Sequence, residues 1–205
     1  MMPLNKNKVP IILASASPRR KELLAQLGVE FTVAPAPIDE SVKSDEAASA
    51  YVVRMATEKA QAGYEAAVSH TGRDMVVIAA DTAVVLGERI LGKPADQDDA
   101  LKMLALLSGQ THRVLSGVAI TDGQTLESRI SDTAVNFRRL SAAERSAYWR
   151  SGEPVDKAGA YAIQGLGALF VAGINGSYTG VVGLPLFETA ELLALFGIVP
   201  GLESA

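Results

Sequence analysis

The chain has 205 residues, 48% hydrophobic and 20% charged, with a mean hydropathy of +0.19. This is enough apolar material for a packed core in a single domain spanning 1–205, and it excludes a disordered chain. Nineteen Lys and Arg against 23 Asp and Glu leave a net charge of -4, which excludes a general nucleic-acid coat, so an anionic ligand has to be met by a local basic cluster.

The chain has no cysteine, and therefore no disulfide scaffold, thiolate zinc site, iron–sulfur cluster or catalytic thiol. No apolar run approaches the ~18 residues that cross a bilayer. Lys6 and Lys8 before an apolar stretch at 9–14 imitate the start of a signal peptide. That stretch is shorter than the usual ~7–15-residue core and carries a proline. It reads better as a first strand, and the expectation is a cytoplasmic protein with no membrane partner.

In chain order, 9–14 reads as a buried strand, and Ser17 and Pro18 open a helix carrying Leu23, Leu24 and Leu27 that stops at Gly28. Residues 30–34 read as a strand and 35–45 as an acidic, proline-containing loop. A long helix is expected over 46–68, with Ala48, Tyr51, Val52, Met55, Ala62 and Ala66 on its apolar face and a polar break at 69–74. A strand at 75–80 ends at Asp81-Thr82, and 83–86 and 89–91 flank a hairpin turn at Gly87-Glu88. Asp96 caps a helix carrying Leu101, Leu104 and Leu107, which Gly109 stops. Two long strands at 111–121 and 126–137 are joined at Asp122-Gly123. Ser141 and Glu144 form a capping box, residues 159–174 alternate glycine with apolar residues like strands in close approach, and 184–196 is a last helix stopped by Gly197. The pattern is α/β with a mixed sheet.

The first strand–loop–helix unit carries the most chemistry. A helix N-terminus presents unpaired N–H groups, Ser15 and Ser17 add hydroxyls, and Arg19 and Arg20 add guanidinium forks suited to phosphate oxygens. Two cations in a first turn oppose the helix dipole, a conflict that a bound anion would resolve. An ordinary capped helix with solvated arginines accounts for the pattern equally well. Asp81 could hold a metal, orient water or simply cap a turn. Gly87 to Lys93 imitates a Walker A loop, but Pro94 stands where Ser or Thr should hold magnesium, so a P-loop is rejected. His70 and His112 share no metal-ligand spacing, and Tyr148 and Trp149 read as packing residues. Asp156 and Lys157 read as either a site or a surface turn. From the residues alone the chain is an anion-binding α/β protein acting on phosphates.

Four segments together resemble the Maf family of nucleotide pyrophosphatases. They are Leu13-Ala14-Ser15-Ala16-Ser17-Pro18-Arg19-Arg20; Ala80-Asp81-Thr82 with Gly92-Lys93-Pro94; Leu107-Ser108-Gly109-Gln110-Thr111-His112; and Asp156 to Gly165 with Gly176-Ser177-Tyr178 and Val181-Val182-Gly183-Leu184-Pro185. The resemblance covers about 11–197. It implies an elongated mixed sheet with flanking helices and two lobes around a cleft, as in inosine-triphosphate pyrophosphatases. It also implies hydrolysis of nucleoside triphosphates between the α- and β-phosphates, a divalent metal (Mg²⁺ or Mn²⁺) and a homodimer. Ser15, Arg19, Arg20, Lys59 and Lys93 match substrate-binding positions, with Arg19, Thr82 and Gln164 at positions tied to substrate choice. Asp81 matches the proton acceptor, and Glu40, an acidic position of the family, is paired with it as a metal ligand. A carboxylate is a weak base at neutral pH. Either repulsion from Glu40 strengthens Asp81, or the pair holds the metal. Gln164-Gly165 with Gly176-Ser177-Tyr178 resembles the branch acting on dTTP and UTP, whose adjacent C=O and N–H groups a Gln amide complements. The alternatives are a house-cleaning enzyme for modified nucleotides and a nucleotide-binding regulator of septum formation.

Overall fold

A computed structural model describes residues 9–71 and 74–201, apart from the side chains of His70 and Thr71. Lys6, Lys8, the centre of the polar break at 72–73 and the His70 side chain lie outside the described residues. In chain order the elements are β1 (Ile11–Leu13), α1 (Pro18–Gln26), β2 (Thr32–Val33), α2 (Ala48–Thr71), β3 (Val76–Leu86), β4 (Arg89–Leu91), α3 (Gln97–Leu107), β5 (Thr111–Thr121), β6 (Leu126–Phe137) and α4 (Ala142–Arg150). Three short 3₁₀ turns follow at Glu153–Asp156, Ala158–Ala160 and Leu166–Phe170, then β7 (Val171–Asn175), α5 (Tyr178–Val182) and α6 (Leu186–Leu195).

The strands form one seven-stranded sheet in the order β2-β1-β3-β5-β6-β7, with β4 paired to β3 beside that path. β1 runs parallel to β2 and β3, and every other pairing is antiparallel. β3 and β5 are apolar on both faces because both faces are covered. On one face α2 packs Ala56 and Ala60 against Val77 and Ala79, and Val52 against Ala83 and Val85. On the other, Leu23 and Leu24 of α1 and Leu192 and Leu193 of α6 meet Ile78, Ala80 and Ile120. A separate cluster joins α3, α4 and the 3₁₀ turns to the far ends of β3, β5 and β6 around Leu104, Phe137, Tyr148 and Phe170. The apolar core is thus divided between two ends of one sheet, giving two lobes.

Two glycines set how closely α2 lies on the sheet. A Cβ on Gly117 of β5 would stand 2.4 Å from the Val52 carbonyl oxygen, and one on Gly63 of α2 would stand 2.6 Å from the Ala14 Cβ. Without those side chains the helix backbone reaches the strands, and Lys59 is carried down beside Asp81.

The sheet has a gap along one side of β3. β1 stops pairing with β3 at Leu13↔Ile78, extended only by the Ala14 N–H on the Ile78 carbonyl at 2.8 Å, and β4 begins at Val84↔Leu91. Between them, residues 79–83 of β3 have β5 on one side and no strand on the other. Asp81 and Thr82 lie in this interval, where the chain leaving β1 turns into α1. This is the carboxyl-end crevice in which α/β sheets place ligands.

Five expectations need correction. β3 does not end at Asp81-Thr82 but runs unbroken to Leu86, because Thr82–Val85 contains no breaker and stays in register with β5 through Val85↔Arg113. The C-terminal half of the α2 stripe is Ala60, Gly63 and Ala67 rather than Ala62 and Ala66. Gly63 has no side chain to mark it as apolar, so the period slipped. α2 also runs past Val68 into the expected break at 69–74, as far as Thr71. Residues 159–174 hold 3₁₀ turns and only one strand, β7, while 178–182 forms the short helix α5. Gly159, Gly165 and Gly167 do mark close approaches, but of turns rather than strands. Ser17 occupies the N-cap of α1 without a side-chain capping bond. Instead the Ser15 hydroxyl accepts the Ser17 N–H at 3.3 Å.

Candidate active site

A cavity of about 560 Å³ opens at the gap beside β3. Its lining includes Ser15, Arg19, Arg20, Glu40, Lys59, Asp81, Thr82, Lys93 and Gln164, so all nine residues singled out in the sequence meet there. They come from seven places: the β1–α1 turn, the first turn of α1, the 35–45 loop, α2, β3, the segment after β4 and the 3₁₀ region.

Side chains alternate along β3, so Asp81 and Thr82 point to opposite faces. Asp81 faces α2 and is buried. Its Oδ1 accepts from Lys59 Nζ at 2.8 Å, and the same ammonium reaches Glu40 Oε1 at 2.7 Å. Asp81 and Glu40 therefore meet across a cation. The ammonium between them offsets their mutual repulsion. The hydrogen bond from Lys59 holds the Glu40 carboxyl below its ordinary value, with the charges of Lys59, Lys93 and Arg20 adding to the effect. Glu40 is half-exposed, on a loop fixed from α2: the Tyr51 hydroxyl donates to the Glu40 carbonyl at 3.0 Å, and Arg54 Nη2 donates to the Ser41 carbonyl at 2.9 Å. Burial, with the nearby Asp81 and Glu40 charges, pushes the Tyr51 phenol up to about 12, so it stays a donor. Arg54 is itself held by Glu46 at 2.6 Å and Glu58 at 3.3 Å.

Thr82 faces the other way, toward α1 and α5. Arg20 Nε donates to the Gly183 carbonyl at 2.9 Å, Nη1 to Ser15 Oγ at 3.3 Å and Nη2 to Thr82 Oγ1 at 3.4 Å. Thr82 Oγ1 lies 2.9 Å from Ser116 Oγ, which donates to the Gly180 carbonyl at 2.6 Å. Ser116 has committed its proton to Gly180, so it accepts from Thr82, and Thr82 accepts from Arg20. This chain of bonds fixes the guanidinium plane. Burial lowers the Arg20 pKa from its ordinary value while the Asp81 charge opposes the shift, and a guanidinium remains charged throughout. Arg19 pairs with Asp156 at 3.7 Å, and Asp156 also contacts Lys157. Hydrogen bonding from Lys157, with Arg19 nearby, keeps the Asp156 carboxyl below its usual range.

Sequence reasoning missed Ser116, Tyr51 and Arg54. Ser116 left a signal, as a fully buried hydroxyl inside an apolar strand. Arg54 and the Gly183 carbonyl left none, because both act only through the tertiary fold. His112 sits behind the cavity wall, fully buried, with Nε2 2.9 Å from the Tyr161 hydroxyl, and Tyr161 lines the cavity. Tyr148 is buried and Trp149 partly buried in the α3/α4 cluster, in keeping with packing roles. The imitation Walker segment is strand β4 and not a loop. Among the described residues no helix is long and apolar enough to cross a membrane.

The family described as "Maf-like protein" matches residues 10–196. A "dTTP/UTP pyrophosphatase" of Shewanella frigidimarina is 57% identical over 188 residues, covering 89% of this chain and 95% of that protein. One of Hahella chejuensis, with the same name, is 52% identical over 194 residues, covering 95% and 96%. Among solved structures, a HAM1 protein from Coxiella burnetii aligns with a TM-score of 0.44 at 15% identity, covering 65% of this chain and 75% of that one.

Proposed function

The chain belongs to the Maf family, and we propose that it hydrolyses nucleoside triphosphates, dTTP and UTP foremost, to the nucleoside monophosphate and pyrophosphate. The observation that carries this reading is the convergence of Arg19, Arg20, Lys59 and Lys93 with two carboxylates on one cavity in a chain of net charge -4. A triphosphate brings about four negative charges, and these cations, of which Lys59 and Arg19 are shared with carboxylates, gather the opposing charge at this cavity. Relatives more than half identical that are named dTTP/UTP pyrophosphatases support the pyrimidine substrates.

In this reading Arg20, fixed by Gly183, Ser15 and Thr82, offers its guanidinium edge to the phosphates, and Arg19 and Lys93 flank them. Asp81, with Oδ1 held by Lys59, uses Oδ2 to orient a water for in-line attack on the α-phosphorus. The new P–O bond forms as the bond from Pα to the bridging oxygen breaks. Pyrophosphate leaves, and Asp81 takes the water proton and returns it to solvent. Lys59 keeps Asp81 aimed.

No group of three or more His, Asp or Glu side chains that could hold a metal occurs among the described residues. Asp81 and Glu40 would hold Mg²⁺ or Mn²⁺ on the carboxylate oxygens that Lys59 does not engage, since these ions bind through one or two carboxylates with water and substrate phosphates completing the shell. When bound, such an ion neutralises phosphate charge and acts as a Lewis acid toward the phosphoryl oxygens. Gln164 is assigned to the base edge, where its amide complements the C=O and N–H pair of uracil and thymine. The substrate class and the cysteine-free composition favour a cytoplasmic protein, and a homodimer is proposed for it.

Hydrolysis of UTP in ¹⁸O-enriched water tests the site of attack. Label in UMP with unlabelled pyrophosphate is expected. UDP and labelled phosphate would show attack at the γ-phosphorus and overturn the assignment.

A further inference from the structure

Gln164 is exposed at the cavity wall, on a segment that strands and long helices do not hold. Its backbone is held instead by two side chains from outside the cavity. Glu153, just after α4, accepts on Oε2 from the Leu166 N–H at 2.8 Å and on Oε1 from the Gly167 N–H at 3.0 Å. Its Oε1 also accepts the Tyr148 hydroxyl at 2.6 Å, and the Tyr148 oxygen accepts the Ala162 N–H at 3.0 Å. One carboxylate and one phenol thus fix the backbone on both sides of Gln164. The intervening glycines are shaped to this contact. A Cβ on Gly165 would stand 2.2 Å from Glu153 Oε2, and one on Gly167 would stand 2.8 Å from the Tyr148 oxygen. Tyr148 is buried, and the turn at Gly152, with φ of 76°, brings Glu153 back under the loop.

We infer that Glu153, braced by Tyr148, is a positioning residue that sets how Gln164 is presented to the base, and so helps determine pyrimidine preference. This rests on the assignment of Gln164 to the base edge. Neither side chain is among the cavity-lining residues, so both act through the loop. Glu153→Gln is the informative change. It keeps the shape of the side chain, but its NH₂ must face either the Leu166 N–H or the paired Tyr148 and Gly167 donors, so at least one bond becomes a donor–donor clash.

The test compares wild type, Glu153→Gln, Tyr148→Phe, Gln164→Ala and the double variant Glu153→Gln/Gln164→Ala. For each, kcat and KM are measured with UTP and GTP, together with amide exchange at Leu166 and Gly167. Glu153→Gln is expected to raise KM for UTP about tenfold with little change in kcat, leave GTP largely unaffected and speed exchange at both amides. The double variant should be no less selective than Gln164→Ala alone. If Gln164→Ala erodes the UTP preference and Glu153→Gln does not, the inference falls while the base assignment stands. If Gln164→Ala leaves the preference unchanged, the assignment fails and the inference with it. An equal loss on both nucleotides, together with a lower melting temperature, would show a merely structural role and also overturn it. If Glu153→Gln does not fold, Tyr148→Phe carries the same comparison.

Discussion

Replacing His112 with Gln should flatten the acid side of the stability profile. His112 is enclosed by Phe137 and Tyr161, with ring centroids 4.9 and 5.5 Å away. Its Nε2 meets the Tyr161 hydroxyl, and its Nδ1 is buried with no partner among the described residues. Charging the ring would put an N–H at Nδ1 with no acceptor, and burial lowers the pKa from 6.5 to about 4. Below pH 6.5 the unfolded chain binds a proton at this site and the folded chain does not until about pH 4, so the stabilisation is full above 6.5 and is lost as pH falls through that window. Between about pH 7.5 and about pH 5 the loss is about 2 kcal/mol. Gln does not titrate, and its amide can still meet the Tyr161 hydroxyl. Urea unfolding followed by fluorescence of Trp149, the single tryptophan, reads the difference at the two pH values. Wild type should lose about 2 kcal/mol more than His112→Gln. Equal losses in the two proteins would refute the reasoning.

Lys59→Met should lower kcat by about 100-fold or more and destabilise the fold by about 2 kcal/mol, because it leaves Asp81 buried and unpaired, while half-exposed Glu40 recovers water. Ser116→Ala should raise KM for the triphosphate several-fold with kcat nearly intact, since it frees Thr82 and Arg20 from their anchor without touching the reacting atoms; steady-state kinetics check this. Arg54→Ala should quicken proteolytic cleavage within 35–45 and lower activity at limiting metal, because the loop that carries Glu40 loses its tie to α2.

Most of the fold was legible because local signals agreed with one another. The capping box at Ser141, the Asp96 cap and the Asp122-Gly123 turn marked element ends that the structure reproduces closely. The misreadings fall where pattern and packing part company. Thr82 looked like the end of a strand because Asp81-Thr82 interrupts an apolar run, yet β3 continues because β5 pairs with it throughout. Residues 159–174 read as strands because glycine alternates with apolar residues, whereas a buried phenol and a carboxylate hold the backbone between Ala162 and Gly167 in turns, a tertiary cause that no local pattern encodes. Ser15, Arg19, Arg20 and Asp81 stood out from local chemistry, and Glu40, Lys59 and Gln164 only from the resemblance to family motifs. The residues that fix them in place, Ser116, Arg54 and Glu153, stood outside those readings because their roles depend on partners 13 to 64 positions away.

The central claim is that Asp81 drives cleavage of pyrimidine triphosphates at this cavity. The most direct measurement is pyrophosphate release from dTTP, UTP and the purine triphosphates with Mg²⁺ or Mn²⁺, by wild type and Asp81→Asn, alongside nucleotide binding by calorimetry. Wild type should release pyrophosphate from dTTP and UTP and little from purines, and Asp81→Asn should bind UTP with similar affinity and not turn it over. Turnover of UTP by Asp81→Asn near the wild-type rate would contradict the account.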